Sequence, residues 1–196
     1  MEFHDLVKVR RSCRSFADSA LLETQLLDIL DVGRWSPSPL NLQPWEFIIV
    51  NDSKVKSQIR KVAEDAKREV SDKNGPKWAA GYSIDFLEEA AVLIVVVTNP
   101  DRGGLGMFFG QKHGAIQAAS ACIQNMLLAC ADMGLAALWF TFFRPENLRD
   151  ILDIPAGLEI VGVIPVGKSN GSIKRISRKD PKIHRNRYVQ SRSLSE

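Results

Sequence analysis

Trp35-Ser36-Pro37-Ser38-Pro39-Leu40-Asn41-Leu42-Gln43-Pro44-Trp45-Glu46-Phe47-Ile48-Ile49-Val50 runs a rigid polar loop directly into an apolar strand. Three prolines fix φ and deny the loop a helix, while Ser38, Asn41 and Gln43 hold out hydroxyl and amide groups suited to the polar edge of a planar ring. The aromatic and β-branched residues that follow predict a strand over Phe47–Val50 anchored in a core, so the loop is a supported one and not a linker.

Upstream, Arg10-Arg11-Ser12-Cys13-Arg14-Ser15-Phe16 follows a short helical pattern carried by Phe3, Leu6 and Val7. Guanidinium forks and a serine hydroxyl suit phosphate oxygens, although a run of arginines by itself reads equally well as a solvated surface. Between the two segments, Leu22, Leu26, Leu27, Ile29 and Leu30 predict a helix that Thr24 would cap and the prolines would stop.

Downstream, Ser53 to about Val70 reads as a charged helix with a thin apolar stripe, and residues 71–82 read as irregular. Ala91–Thr98 is a valine-rich run expected to form a strand buried on both faces. Gly103–Gly110 is not a dinucleotide loop. Its glycines are spaced G-x-G-x-x-x-G, start several residues past the strand, and have no acidic ribose partner at the expected distance. A loop carrying Phe108 and Phe109 near a pocket or subunit contact is expected instead. His113–Met133 is long, helical in propensity and nearly uncharged, so it must be buried on most sides, most simply against a second copy of the chain. Leu138–Phe143 reads as an aromatic strand, Pro145–Leu152 as a short helix and Ile160–Val166 as a further strand.

Taken together, Arg10–Phe16 and Pro37–Trp45 resemble the opening of the nitroreductase family of FMN-dependent oxidoreductases. Gln124–Ala129 leading to Gly134-Leu135, and Ile154–Gly157 leading to Val163–Gly167, resemble its second half. The likeness spans nearly the whole chain, and four segments in order are far more specific than a lone motif. The resemblance implies an α+β fold, a three-layer α/β arrangement in which helices flank a mixed, largely antiparallel sheet, with residues 1–196 as one FMN-binding domain and an obligate homodimer. FMN would lie at the subunit interface, with Arg10–Arg14 from one subunit and Ser38–Gln43 from the other. Arg10, Arg11 and Ser12 would hold the phosphate with a cation of the tail, for which Lys174, Arg175 and Arg178 are candidates. Arg14 would face the ring's N1/O2 edge, Pro37, Ser38, Asn41 and Gln43 would frame the ring, and Thr141 and Phe142 would pass near N5. The middle region would serve as a lid. The implied reaction is ping-pong transfer from NADH or NADPH to a small-molecule acceptor such as a nitroaromatic or quinone.

The chain departs from that pattern at Ala136-Ala137, where a Gly-Thr pair is usual, at Ala118 in place of an aspartate and at Phe142 in place of a glycine. Dehalogenation, dehydrogenation, a flavin-consuming reaction, or flavin binding without turnover therefore stand as alternatives on the same fold.

Composition is that of an ordinary globular domain, 196 residues with 45% hydrophobic and 25% charged. A net charge of +3 is modest, and no aromatic ladder interleaves the basic residues after Lys168, so nucleic-acid binding is the lesser reading of the tail. No unbroken apolar run approaches a membrane span and no signal sequence is expected, which implies a cytoplasmic protein without membrane contact. Cys13, Cys122 and Cys130 lack metal-ligand spacing and are expected as reduced thiols. No catalytic triad is expected of the scattered His4, His113 and His184.

Overall fold

The computed structural model describes residues 1–171 and 176–188. In chain order the elements are α1 (Phe3–Val9), α2 (Glu23–Arg34), β1 (Trp45–Val50), α3 (Ser53–Asp72), α4 (Phe86–Glu89), β2 (Val92–Thr98), α5 (Gly114–Asp132), β3 (Ala136–Ala137), α6 (Pro145–Ile151) and β4 (Glu159–Gly167). The strands form one sheet in the order β1-β2-β4-β3, every neighbouring pair antiparallel.

Every residue of β2 is buried, as its unbroken apolar run predicts. Successive side chains point to opposite faces of a strand. Leu93, Val95 and Val97 therefore enter a core with α3, α4 and α6, while Val92, Ile94 and Val96 enter a second core with α2 and α5. The result is three layers, helix–sheet–helix. Each fully buried Ile, Leu or Val contributes about 1.5–3 kcal/mol of transfer free energy, so this central strand is the fold's main apolar anchor.

Local chemistry sets the helix ends. Asp52 caps α3, its carboxylate accepting from the backbone N–H of Lys54 (2.8 Å) and Val55 (3.0 Å). At α2 the expected cap at Thr24 is displaced. The helix begins at Glu23, and the Leu22 N–H donates to the Gln25 side chain at 3.2 Å, leaving Thr24 inside the first turn. Gly33 lets α2 approach α5, because a Cβ there would stand 2.8 Å from Met126 Cγ.

α5 has the length and apolarity of a membrane span, a property its scattered polar residues hide in the sequence. In this fold it is a core helix whose Ala118, Ala119, Cys122, Ile123 and Met126 face the sheet and α2. Burial pushes the Cys122 and Cys130 thiols up to about 12, so both are inert neutral side chains. The remaining face of α5 carries half-buried residues with Gln117, Gln124 and Asp132 exposed, so the single chain leaves that face partly uncovered.

The aromatic strand expected over Leu138–Phe143 is not formed. Ala136, Ala137 and Phe140 keep one register against Gly167, Val166 and Val163, but only β3 and a single bridge at Phe140 result. Two chemical facts break the ladder. Pro165, opposite Leu138 in that register, has no N–H to give. Trp139 Nε1 donates to the Val161 carbonyl (3.1 Å), the acceptor that would otherwise serve Phe142. The indole lies on Gly162, where a Cβ would come within 2.3 Å of Nε1.

Candidate functional site

Arg10 and Arg11 leave the end of α1 and run beside the last turns of α5, where with Leu127, Ala131, Gly134 and Ser169 they line a cavity of about 190 Å³. The chain is pinned there. Ser12 forms a parallel bridge with Ala137, the Cys13 N–H donates to the Ala137 carbonyl at 3.0 Å, and the buried Cys13 thiol donates to the Ser15 carbonyl at 3.1 Å. Arg178 of the tail approaches Arg10. Burial first, then the charges of Arg178 and Arg11, hold the Arg10 guanidinium below its ordinary pKa. Arg11 donates to the Arg10 carbonyl at 2.7 Å, but its Nε is buried with no partner. Among the described residues no carboxylate pairs with Arg10, Arg11 or Arg178. A concentration of positive charge with an orphaned donor is chemically incomplete, and a dianionic phosphate would complete it. Lys174 and Arg175 lie outside the described residues.

The second group gathers in the proline-rich loop. Leu40, Asn41 and Gln43 all adopt left-handed backbone, with φ of 50°, 54° and 45°. That costs on the order of 1 kcal/mol per residue and persists only where the surroundings impose it. Here Ser38 imposes it: its Oγ accepts from the Gln43 N–H at 3.0 Å, its carbonyl accepts from the Asn41 N–H at 3.1 Å, and Gln43 Nε2 donates to Asn41 Oδ1 at 3.3 Å. Ser38, Asn41 and Gln43 thus form one polar unit behind the exposed Pro37. The loop packs beside the start of α5, where Pro39, Gly103, Gly106, His113 and Gln117 line a cavity of about 550 Å³.

A third group forms on the other face of the sheet. Arg14 Nε donates to the Tyr82 hydroxyl at 3.0 Å, and its guanidinium lies 5.5 Å from that ring's centroid. Tyr82 in turn meets Trp78 (5.9 Å), Phe142 (6.3 Å) and Phe86 (6.2 Å). Arg14 and Phe142 therefore converge through a residue that the sequence reading left in an irregular segment. The i, i+4 pair Trp78 and Tyr82 was the available signal. Thr141 is exposed beside the half-buried Phe142.

The structure thus brings Arg10, Arg11, Ser12 and Arg178 together, brings Arg14 and Phe142 together, and keeps Ser38–Gln43 apart from both. Within one chain the loop sits at the start of α5 and the arginine cluster near its end. About 14 residues of helix, or ~20 Å, separate Gln117 from Ala131. Arg14 is separated from the loop by the sheet itself.

An ion-pair fork braces the third group. Glu69, near the end of α3, accepts from Arg144, which follows Phe143, and from Lys73. The hydrogen bonds from Arg144 and Lys73 hold its carboxyl down to about 2. Because that lies below the ordinary 4.5, the fork stabilises the folded chain above pH 4.5, and the contribution is lost as the pH falls toward 2. The expected result is a Tm gap between the wild type and Glu69→Gln that narrows as the pH is lowered from about 6 to about 2.5. A gap independent of pH in differential scanning calorimetry would contradict it.

The nitroreductase family model matches residues 7–168, and the chain belongs to that family. An iodotyrosine dehalogenase 1 homolog of Caenorhabditis elegans is 37% identical over 175 residues, covering 79% of this chain and 54% of that protein. The iodotyrosine deiodinase of Thermotoga neapolitana is 28% identical over 180 residues, covering 84% of this chain and 87% of that one. Among solved structures, an oxidised iodotyrosine deiodinase bound to FMN and 3-iodo-L-tyrosine superposes with a TM-score of 0.83 at 23% identity, over 94% of this chain and 99% of that one. This last likeness is one of fold.

Proposed function

We propose that residues 1–196 form one FMN-binding domain of a homodimeric oxidoreductase that passes electrons from NADH or NADPH to an oxidised organic acceptor. The observation that carries the cofactor reading is the cation cluster of Arg10, Arg11 and Arg178 with its orphaned Arg11 Nε. When bound, FMN supplies the redox chemistry, accepting two electrons from the nicotinamide donor and releasing them to the acceptor in a ping-pong cycle. Arg10, Arg11, Ser12 and Arg178 hold the phosphate. Arg14 places positive charge at the ring's N1/O2 edge, and Asn41 and Gln43 orient the ring. Thr141 and Phe142 border the reacting face. The donor suits a cytoplasmic protein.

The homodimer is supported by what a single chain leaves uncovered. Phe3, Trp35, Leu40, Phe108, Phe109 and Tyr188 are all largely exposed. The loop carrying Asn41 and Gln43 also cannot reach the same ring as Arg14 of its own chain, whereas a second chain supplies it.

Dehalogenation on the same site is the second reading, favoured by the dehalogenase relatives. The deciding experiment is the anaerobic visible spectrum of the FMN-loaded protein before and after adding NADH, then NADPH. The proposal expects the flavin bands to bleach with at least one nucleotide. Bands that persist with both would remove the nicotinamide-dependent reductase, and halide release from a halophenol after dithionite reduction would then favour the second reading. Failure to bind FMN at all would remove the cofactor.

A further inference from the structure

The backbone on both sides of Arg14 is fixed. The buried Cys13 donates its N–H to the Ala137 carbonyl at 3.0 Å, the Ser15 carbonyl accepts from the Asn170 N–H at 3.1 Å, and the buried Phe16 donates its N–H to Glu89 Oε2 at 3.0 Å. The Arg14 side chain is exposed, so its long stem would by itself sample many rotamers. Its hydrogen-bond partner among the described residues is the Tyr82 hydroxyl, which accepts from Nε and leaves both Nη groups unfilled.

That partner is chemically unlike those of the other arginines. Arg34, Arg60, Arg68 and Arg144, the other described arginines that donate to a side chain, do so to the carboxylates of Asp31, Asp85, Asp65 and Glu69. A carboxylate neutralises the cation it orients. A phenolic hydroxyl orients without neutralising, so Arg14 keeps its whole charge and the Nη edge keeps its donors for another acceptor. The hydroxyl is placed in turn by its ring. Tyr82 rests on the fully buried Phe86 and meets Trp78 and Phe142, which lie 6.1 Å from each other, and the three outer rings form an aromatic shelf rooted in the core. A ring packed against three others has little torsional freedom left, so the acceptor it carries is a stationary one.

We propose that Tyr82 is a positioning residue for the flavin chemistry: its hydroxyl holds the Arg14 guanidinium, uncompensated, at the ring's N1/O2 edge and thereby stabilises the reduced cofactor more than the oxidised one. This rests on the flavin reading above, which assigns Arg14 to that edge, and adds the residue that acts through it. Reduction by a hydride leaves negative charge at N1/O2, so a cation held in place contributes more to the reduced state than to the oxidised state. A guanidinium free to swing into solvent loses part of that difference.

The test uses the whole protein loaded with FMN. Fluorescence titration gives the Kd of oxidised FMN, and anaerobic equilibration with a reference dye gives the midpoint potential; the two together give the Kd of reduced FMN. Tyr82→Phe removes the hydroxyl and keeps the ring. It should weaken reduced FMN about threefold to tenfold more than oxidised FMN, which makes the potential about 15–30 mV more negative for a two-electron couple. In an Arg14→Gln background at saturating FMN, the same loss of the hydroxyl should leave the potential unmoved. A Tyr82→Phe potential equal to that of the wild type overturns the proposal, and so does an equal loss of affinity in both redox states, the signature of a merely structural role. A shift of undiminished size in the Arg14→Gln background also overturns it, because the hydroxyl would then act by another route. Each of these outcomes leaves the flavin reading standing, whereas wild-type protein that takes up no FMN overturns that reading and the proposal with it.

Discussion

Phe86→Ala is expected to lower the unfolding free energy by about 3–5 kcal/mol, the range for deleting a fully buried phenylalanine ring. Phe86 has no exposed surface and stands between two sets of contacts, with Phe140 at 5.5 Å on the core side and Tyr82 at 6.2 Å toward the shelf. Its loss opens a cavity between α4 and Phe140 and also removes the floor beneath Tyr82. Set against a total stability of about 5–15 kcal/mol for a domain, this one substitution removes from about a fifth to the whole of the margin. Phe86→Leu, which keeps most of the volume, should recover the greater part. Urea unfolding at fixed protein concentration, necessary where subunits associate, measures both. If Phe86→Ala stays within about 1 kcal/mol of the wild type, the ring is not the link between core and shelf.

That linkage also shows where the sequence was legible. β2 was readable because the six consecutive apolar residues Val92–Val97 have no other stable place than a strand covered on both sides. α5 was readable within a residue at each end because its apolar composition is sustained over five turns. The polar unit of Ser38, Asn41 and Gln43 was readable as a unit because prolines on either side leave the loop little freedom. What could not be read depends on contacts distant in sequence. The break after β3 requires knowing that Leu138 falls opposite Pro165 and that Trp139 takes the Val161 carbonyl. Tyr82 comes from a segment without periodicity, and only the tertiary structure brings it to Arg14 and Phe142. The clustering of Arg10 with Arg178, 168 positions apart, was reachable only through family likeness.

The separation of the polar loop from the arginine cluster leads to the second large effect. If one ring is held by Arg10–Arg14 of one chain and Asn41–Gln43 of the other, Arg10→Ala and Asn41→Ala each damage both sites of their own homodimer. Losing one charge-assisted bond to phosphate costs about 1.5–3 kcal/mol, so Arg10→Ala should weaken FMN binding at least about tenfold. A mixed dimer of the two variants, isolated through different affinity tags, behaves otherwise. One of its sites combines both substitutions, and the other combines the intact Arg10 of one chain with the intact Asn41 of its partner. At an FMN concentration that leaves both parent homodimers largely empty, the mixed dimer should bind close to one FMN per dimer with wild-type affinity. If instead each site were built within one chain, every site in the mixed dimer would carry one substitution and no high-affinity binding would return. Fluorescence titration of the three dimers separates these cases, because recovery of a function that neither parent has can arise only from a site assembled across the interface.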